Sequence, residues 1–173
     1  MRRKKPKAQR VAVLIDVQNL YHSAKHLYKS KVNFQEILKT AVAGRALIRA
    51  IAYVIKTETG EEKSFFEALS RMGIEIKMKD LQIFPGGMKK GDWDVGIAVD
   101  AIKFSNFLDM IILVSGDGDF VPLVEYIRYA KSAGVEVVAF GKTTSGKLKE
   151  IADDFVDLGE NLDKFLLKNR GNV

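Results

Sequence analysis

Two continuous apolar runs, each ending at an acidic residue, limit the folds open to this chain. Arg10–Ile15 leads directly into Asp16, and Met110–Val114 leads into the turn Ser115–Phe120, which reads Ser-Gly-Asp-Gly-Asp-Phe. Continuous apolar runs are typical of strands covered by helices on both faces, as in parallel sheets. An amphipathic stretch typical of a helix follows each run. The sequence therefore predicts an α/β fold with a mostly parallel sheet.

The same alternation continues along the chain. Strands are predicted at Arg10–Ile15, Ile48–Ile55, Ile74–Met78, Met110–Val114 and Val135–Phe140, with a short last one at Phe155–Leu158. Helices are predicted at Asn19–Tyr28, Phe34–Val42, Glu61–Arg71, Asp92–Phe104, Val121–Ala133 and Ser145–Asp153. We find no internal repeat and no linker that would divide the domain. The chain is therefore expected to form one domain over residues 10–160, after a basic flexible arm over 1–9 and before a C-terminal helix and frayed tail over 161–173.

Local signals mark several element ends. Asn33, with Glu36 three residues later, is expected to be the N-cap of the second helix. Asp92 is expected to be the N-cap of the fourth, and Gly73 ends the third as a C′ glycine. The segment Leu81–Gly91 is the longest irregular piece, and it is interpreted either as a substrate-contacting flap or as an ordinary mobile connection.

Composition excludes several kinds of site. There are no cysteines among the 173 residues, which rules out disulfides, thiolate metal sites and a cysteine nucleophile. The only histidines are His22 and His26, too few for a histidine-based zinc site on their own. No apolar run approaches the roughly 20 residues that span a bilayer, and no apolar region follows the basic N-terminus. We expect no membrane contact and a cytoplasmic location.

The net charge of +6 is concentrated at the N-terminus. Residues 1–10 contain six cations and no acid, and the first four of these cations are expected to contact nucleic acid: Arg2, Arg3, Lys4 and Lys5. Basic arms of this kind commonly contact nucleic acid, and a solubilising tail is the alternative.

Acidic residues follow both central strands. Asp16 ends the first, and Asp117 and Asp119 lie in the glycine-rich turn after Met110–Val114. The carboxyl ends of parallel strands meet at one edge of a sheet, where ligands bind, and clustered carboxylates repel each other unless a hard cation lies between them. Helix capping is the alternative for Asp16 and for Asp119, but it leaves Asp117 without a role.

A third acidic segment, Lys90-Gly-Asp-Trp-Asp-Val95, opens the helix before the second central strand. Asp94 is chosen as the third metal carboxylate, and Asp92 is expected to cap. Asp100 is six residues from Asp94, roughly 120° around the helix, so it is expected to be hydrogen-bonded or ion-paired elsewhere.

Taken in order, Asp16-Val-Gln-Asn19, Lys90–Val95 and Ser115–Phe120 resemble the NYN domain family, a branch of the PIN-like nucleases, over about residues 10 to 160. The resemblance implies a three-layer α/β/α PIN-like fold whose sheet has about five strands in the order 3-2-1-4-5. It also implies metal-dependent ribonuclease activity on RNA. The residues that the resemblance assigns to a Mg²⁺ or Mn²⁺ site are Asp16, Asp94, Asp117 and Asp119, with Asn19 and Ser115 supporting them.

Several interpretations stay open. Lys89 and Lys90 would neutralise phosphates flanking the cut, or form a solvated pair. Single-stranded RNA is the expected partner, and Trp93 or Phe84 would stack on its bases or, as we prefer, pack against the loop.

The main alternative function is a non-catalytic RNA-binding module of the same fold. A small-molecule phosphatase is disfavoured because Asp16 has no aspartate two residues later, and a receiver-like domain would use Lys142. A homodimer is also left open, since Tyr21, Leu27 and Tyr28 would join the core or a dimer contact. The apolar stripe Leu162, Phe165 and Leu166 would cap the core or contact a partner.

Overall fold

The structure is a computed structural model that describes residues 5–57, 59 and 62–167. Its main sheet consists of β1 Arg10–Asp16, β2 Ala46–Lys56, β3 Glu75–Asp80, β4 Met110–Val114, β5 Gly134–Ala139 and β6 Asp154–Asp157. Its α-helices are α1 Val17–Tyr28, α2 Phe34–Val42, α3 Lys63–Arg71, α4 Asp94–Phe104, α5 Val121–Ala130, α6 Gly146–Ile151 and α7 Leu162–Phe165. In the described residues no helix combines the length and the apolar composition that crossing a bilayer requires.

All neighbouring strands of the main sheet are parallel, in the order β3-β2-β1-β4-β5-β6. The predicted α/β class and the order 3-2-1-4-5 are confirmed, and a sixth strand extends the edge, where the short last strand was expected. The chain leaves β1 toward β2 and β3, then crosses to β4 on the other side of β1. The switch point of this topology, where α/β sheets bind ligands, therefore lies between β1 and β4.

Helices cover both faces of the sheet, as the continuous apolar strands predict. Along β1, Val13 and Ile15 contact the core shared with α1, α2, α3 and α7, whereas Ala12 and Leu14 contact the core shared with α4, α5 and α6. These side chains are fully buried. The alternation of faces along one strand gives the three-layer α/β/α architecture.

The irregular segment before α4 is more ordered than the sequence indicated. Gln82–Ile83 and Lys89–Lys90 pair as a two-residue antiparallel hairpin, here called the 82–90 hairpin. Its turn needs left-handed backbone, which Gly86 and Gly87 adopt with φ of +97° and +85°. The connection was interpreted as irregular because pairs of strands this short leave no periodic signal.

Buried charge ties the N-terminal segment to the amino edge of the sheet. Arg45 is fully buried in its side chain and donates from Nη1 and Nη2 to the two carboxylate oxygens of Glu136 at 2.9 and 2.8 Å. Lys5 Nζ lies 2.6 Å from Glu136 Oε2 and 3.2 Å from Asp154 Oδ2. Lys5 and Gln9 of the expected flexible arm therefore contact the domain, and residues 1–4 lie outside the described residues.

The C-terminal stripe caps the core. Phe165 is buried, and Leu162 and Leu166 pack against the same apolar cluster. After the single turn of α7, Leu166–Leu167 pairs with Lys31–Val32 in a short antiparallel ladder. Of the two roles predicted for the stripe, covering the core is the one that the contacts support. The predicted frayed end, residues 168–173, lies outside the described residues.

Candidate metal centre

Asp16 lies at the carboxyl end of β1 and is mostly buried, with 8% of its surface exposed. It is the N-cap of α1, because its Oδ1 accepts the Asn19 backbone N–H at 3.1 Å. This cap starts α1 at Val17, two residues before the predicted start. Burial raises the pKa of Asp16 above its ordinary value, although the hydrogen bonds from Asn19 and Ser115 offset part of the rise. Capping and a position at the sheet edge therefore coexist, as predicted.

Asn19 and Ser115 connect the ends of β1 and β4. Ser115 is fully buried, and its Oγ donates to Asp16 Oδ2 at 3.0 Å. Asn19 Oδ1 accepts the Gly116 backbone N–H at 3.0 Å. Both side chains thus hold the acidic turn against the first strand.

Asp117 fixes the shape of the acidic turn. Its Oδ1 accepts the Asp119 backbone N–H at 2.9 Å and so caps the single 3₁₀ turn Gly118–Phe120. The N-cap of α5 is Phe120, without a side-chain hydrogen bond. The alternative that Asp119 caps the next helix is therefore wrong, and the capping acid of this turn is Asp117. The Asp119 carboxylate makes no hydrogen bond within the described residues.

Asp94 enters the site from the first turn of α4. Asp92 was expected to be the N-cap, but the cap residue is Trp93, and α4 begins two residues later than predicted. Asp92 still contributes, since its Oδ1 accepts the Asp94 backbone N–H at 3.3 Å. On the same helix Ile97 and Ala101 are fully buried against the sheet, as expected, so the first turn of α4 is held at the carboxyl edge.

Three of the four predicted metal carboxylates come together. Asp94, Asp117 and Asp119 each offer an oxygen, and these oxygens lie within 4.8 Å of one another. We call these three residues the acidic cluster. Asp16 lies beside the cluster, close enough for its charge to act on Asp94, but it does not belong to the set of mutually close oxygens.

Burial and neighbouring negative charges change the pKa of one member of the acidic cluster. Burial, followed by the charges of Asp117 and Asp16, raises the pKa of Asp94 to about 6. Smaller contributions come from Asp92 and Asp119. Within the described part of the chain no ion pair neutralises any member of the acidic cluster. Carboxylates that repel one another and have no cationic side chain between them are suited to an added cation.

The donor set fits a hard divalent cation. All three close ligands are carboxylate oxygens, which suit Mg²⁺ and Mn²⁺, and the chain has no thiolate that would select a softer metal. The side chains are half-buried for Asp94 and Asp117 and exposed for Asp119, so both the ion and water have access. Residues Asp94, Asp117 and Asp119 would hold the ion.

A buried polar network supports α4 from behind the cluster. Tyr53, which pairs with Asp16 in the sheet register, donates its hydroxyl to Asp100 Oδ2 at 2.7 Å. Lys77 Nζ lies 2.6 Å from the same oxygen. The prediction that Asp100 is bonded away from Asp94 is confirmed. Sequence reasoning missed Tyr53, although its position near the end of the second predicted strand places it at the same sheet edge.

Trp93 also anchors the start of α4. Its Nε1 donates to the Val54 carbonyl at 2.8 Å, and its ring meets Tyr53 edge-on at 5.3 Å between centroids. Lys79 Nζ lies 4.3 Å from the centre of the indole. The preferred interpretation of Trp93 as a packing residue agrees with these contacts. Phe84, on the 82–90 hairpin, is 40% exposed.

The predicted RNA-contacting cations lie in different places. Lys89 and Lys90 are exposed on the 82–90 hairpin, which leads into α4 and the acidic cluster. Lys5 is at the opposite edge of the sheet, paired with Glu136. Arg2, Arg3 and Lys4 lie outside the described residues. The structure thus brings two of the six predicted cations to the edge that carries the acids.

A parallel α/β/α sheet with acids gathered at its switch point defines a class of α/β domains with a candidate cation site at the sheet edge. Comparison with known proteins identifies the family within that class. Residues 10–161 match the model of the NYN domain, and the chain belongs to this family. The family is nuclease-like and RNA-related, which supports a hydrolase at this coarse level.

The chain is also similar to two other known proteins. The Low amplitude and bright protein LabA of Synechococcus elongatus is 27% identical over 120 residues, which cover 66% of this chain and 64% of that protein. The chain thus matches less than two thirds of the length of LabA. A solved structure of a protein of unknown function from Vibrio parahaemolyticus RIMD 2210633 superposes with a TM-score of 0.84 at 36% identity. That match covers 94% of this chain and 99% of the other.

Proposed function

We propose that this chain is a metal-dependent ribonuclease that hydrolyses RNA phosphodiester bonds at the acidic cluster. The observation that carries the proposal is the convergence of Asp94, Asp117 and Asp119, whose oxygens lie within 4.8 Å of one another at the switch point of an NYN-family sheet. Mutual repulsion makes a cluster of three acids costly when no ion pair neutralises it, as is the case within the described residues. The cap that Asp117 forms on the 3₁₀ turn accounts for only one of the three.

Each acid has a distinct role in this proposal. Asp94, Asp117 and Asp119 would hold Mg²⁺ or Mn²⁺ through carboxylate oxygens. Asp16 would act beside them as the fourth acid, at a position fixed by Ser115 and by its cap on α1. A bound divalent ion supplies an activated water nucleophile and stabilises negative charge on the phosphate.

Neighbouring cations would bind the substrate. Lys89 and Lys90 are exposed near the start of α4 and form no ion pair within residues 5–57, 59 and 62–167. They are therefore free to contact phosphates on one side of the cut. Single-stranded RNA as the substrate, a homodimer, a cytoplasmic location and RNA contacts by Arg2, Arg3, Lys4 and Lys5 remain predictions from the sequence.

Cleavage of a labelled single-stranded RNA, with Mg²⁺ or Mn²⁺ titrated against the full chain, tests the proposal. Asp117→Asn should lower the rate by about a hundredfold or more, since it removes a ligand that acts in the reaction itself. Asp163→Asn is the matched control, because Asp163 is exposed on α7 and the change in charge is the same. It should cleave like the wild type.

The same assay separates catalysis from binding. RNA affinity should change little in Asp117→Asn, so that the loss is confined to cleavage. If RNA binds but neither metal supports cleavage by the wild-type chain, the catalytic proposal is wrong and the non-catalytic RNA-binding module takes its place.

A further inference from the structure

The connection from β5 into α6 carries cations that the proposed function does not use. Residues 141–147 read Gly-Lys-Thr-Thr-Ser-Gly-Lys, and we call them the 141–147 segment. Its beginning forms the 3₁₀ turn Gly141–Thr143, and Ser145 is the N-cap of α6. Since β5 neighbours β4, the segment lies at the same carboxyl edge as the acidic turn.

Direct contacts hold the segment against that turn. The Ser145 backbone N–H donates to the Gly116 carbonyl at 3.0 Å. A Cβ built on Gly116 would lie 2.6 Å from Thr144 Oγ1, and one built on Gly118 would lie 3.1 Å from Ser145 Oγ. The glycines on both sides of Asp117 thus allow the two loops to touch, so Lys142 and Lys147 are two residues from atoms in contact with the acidic turn.

Lys142 and Lys147 are exposed, and within the described residues neither forms a hydrogen bond or an ion pair. Lys149, two residues further, behaves differently: its Nζ donates to the Gly141 carbonyl at 2.6 Å and lies over the Phe155 ring. Lys149 therefore stabilises the 141–147 segment from outside it, whereas the segment's own two lysines direct their charges to solvent. They lie beside an acidic cluster that no ion pair neutralises within the described residues.

The two lysines extend the positive charge of the sheet edge to the other side of the acids. The 82–90 hairpin follows the end of β3 and carries Lys89 and Lys90, and Gly91 directly after it approaches Ile55 near the end of β2. The 141–147 segment follows β5 on the other side of β1 and β4. Free cations thus flank the acids on both sides, whereas a polyanion approaching the acids alone would be repelled.

We propose that the 141–147 segment is a second phosphate-binding site, in which Lys142 and Lys147 contact the backbone of single-stranded RNA on the side of the acidic cluster opposite the 82–90 hairpin. The choice of RNA as the ligand of this site rests on the proposed function. Flexible lysine ammonium groups contact phosphates as point charges, so the site would read the backbone and not the base sequence.

Equilibrium binding of a short fluorescein-labelled single-stranded RNA, measured in EDTA across a series of salt concentrations, tests this site without cleavage. The variant is K142Q/K147Q in the full chain. Its affinity should fall several-fold at low salt, and its slope of log affinity against log salt should be smaller by about 1.4, or about 0.7 for each lost phosphate contact.

K39Q/K103Q is the matched control. Lys39 and Lys103 are exposed near the C-terminal ends of α2 and α4, away from the carboxyl edge, and the charge change is the same. An equal loss of affinity in both double variants would show a general effect of net charge and overturn the site, as would unchanged affinity in K142Q/K147Q or no RNA binding by the wild type.

Failure of the two proposals can be told apart. Weakened RNA binding in K142Q/K147Q supports the site even if the wild-type chain cleaves no RNA with any divalent metal. Metal-dependent cleavage together with unchanged RNA binding in K142Q/K147Q overturns the site and leaves the ribonuclease proposal intact. All four substituted side chains are exposed, so both double variants should fold like the wild type. Thermal melts check this, and unchanged melting temperatures exclude misfolding as the cause of weaker binding.

Discussion

Ser115 Oγ lies 3.0 Å from Asp16 Oδ2, and this buried hydrogen bond joins two residues 99 positions apart in the chain. The bond connects the carboxyl ends of β1 and β4, the two strands on either side of the switch point of the sheet. The bond holds a mostly buried carboxylate beside the acidic cluster, so fold stability and site geometry depend on the same contact.

Ser115→Ala should destabilise the fold by about 1–3 kcal/mol, because it leaves a buried acceptor without its donor. Urea unfolding at neutral pH measures the change. Ser132→Ala, at an exposed serine, is the control and should change stability by less than about 0.5 kcal/mol. Equal stabilities of the two variants would show that the Asp16 contact is unimportant to the fold.

Lys77→Met should destabilise the protein because Asp100, only 5% exposed, would lose its cation. Removing one partner of a fully buried pair costs about 3–5 kcal/mol, and since Lys77 is partly exposed we expect about 1–3. Lys77→Arg keeps the charge and should recover most of the stability in urea unfolding. A stable Lys77→Met variant would contradict the role of this network in holding α4.

The same network predicts a dependence on acid. Burial works against ionisation of Asp100, yet the bonds from Lys77 and Tyr53 leave its pKa below the ordinary value. A carboxyl with a lowered pKa in the fold stabilises the protein above its unfolded pKa, and this contribution is lost as pH falls through the folded pKa. Tyr53→Phe should therefore melt below the wild type at neutral pH, because it lacks the hydrogen bond to Asp100. The difference in melting temperature between the two proteins should become smaller as the pH is lowered toward 3.

Asp94→Asn should stabilise the metal-free protein at neutral pH. The pKa of Asp94 in the folded protein is raised to about 6. Protonated Asp94 therefore stabilises the fold fully at a pH below the ordinary pKa of an aspartate, and this stabilisation is lost as the pH rises through about 6. The melting temperature of Asp94→Asn in EDTA should exceed that of the wild type at pH 7 but match it near pH 4.

Added Mn²⁺ should reverse this order at pH 7, because the wild type keeps all its ligands and gains from ion binding. A difference in melting temperature between wild type and Asp94→Asn that is constant across pH in EDTA would contradict the crowding of charge around Asp94.

Gly116→Ala should destabilise the protein at the acidic turn. The new Cβ would lie 2.6 Å from Thr144 Oγ1 and 3.1 Å from Thr144 Cα, which is too close. Overpacking of this kind costs about 1–3 kcal/mol. Gly146→Ala is a matched control, since nothing lies within 4 Å of its Cβ at the start of α6. Thermal melts should show a clear loss for the first variant and little change for the second.

The sequence predicted the sheet and the strand ends well because both depend on strong local signals. The continuous apolar runs at β1 and β4 identify buried strands, and an acid directly after each marks the carboxyl edge. Asn33 is an N-cap as predicted, accepting the Glu36 N–H, because capping is also a short-range property.

Contacts between residues far apart in the chain could not be predicted from local sequence signals. The bond of Tyr53 to Asp100 spans 47 residues, and Lys5 meets Glu136 across 131. Neither pair leaves a periodic pattern, so Tyr53 was missed and Lys5 was interpreted only as part of an arm. The contact of Thr144 with Gly116 likewise appears only after the sheet brings β4 and β5 together.

Diffraction from crystals soaked in Mn²⁺, recorded near the manganese absorption edge, tests whether the acidic cluster binds a divalent cation. An anomalous peak is expected between the carboxylates of Asp94, Asp117 and Asp119, and it should be absent from crystals of Asp117→Asn. A fully soaked wild-type crystal with no peak among these three carboxylates, or with its peak elsewhere, would contradict it.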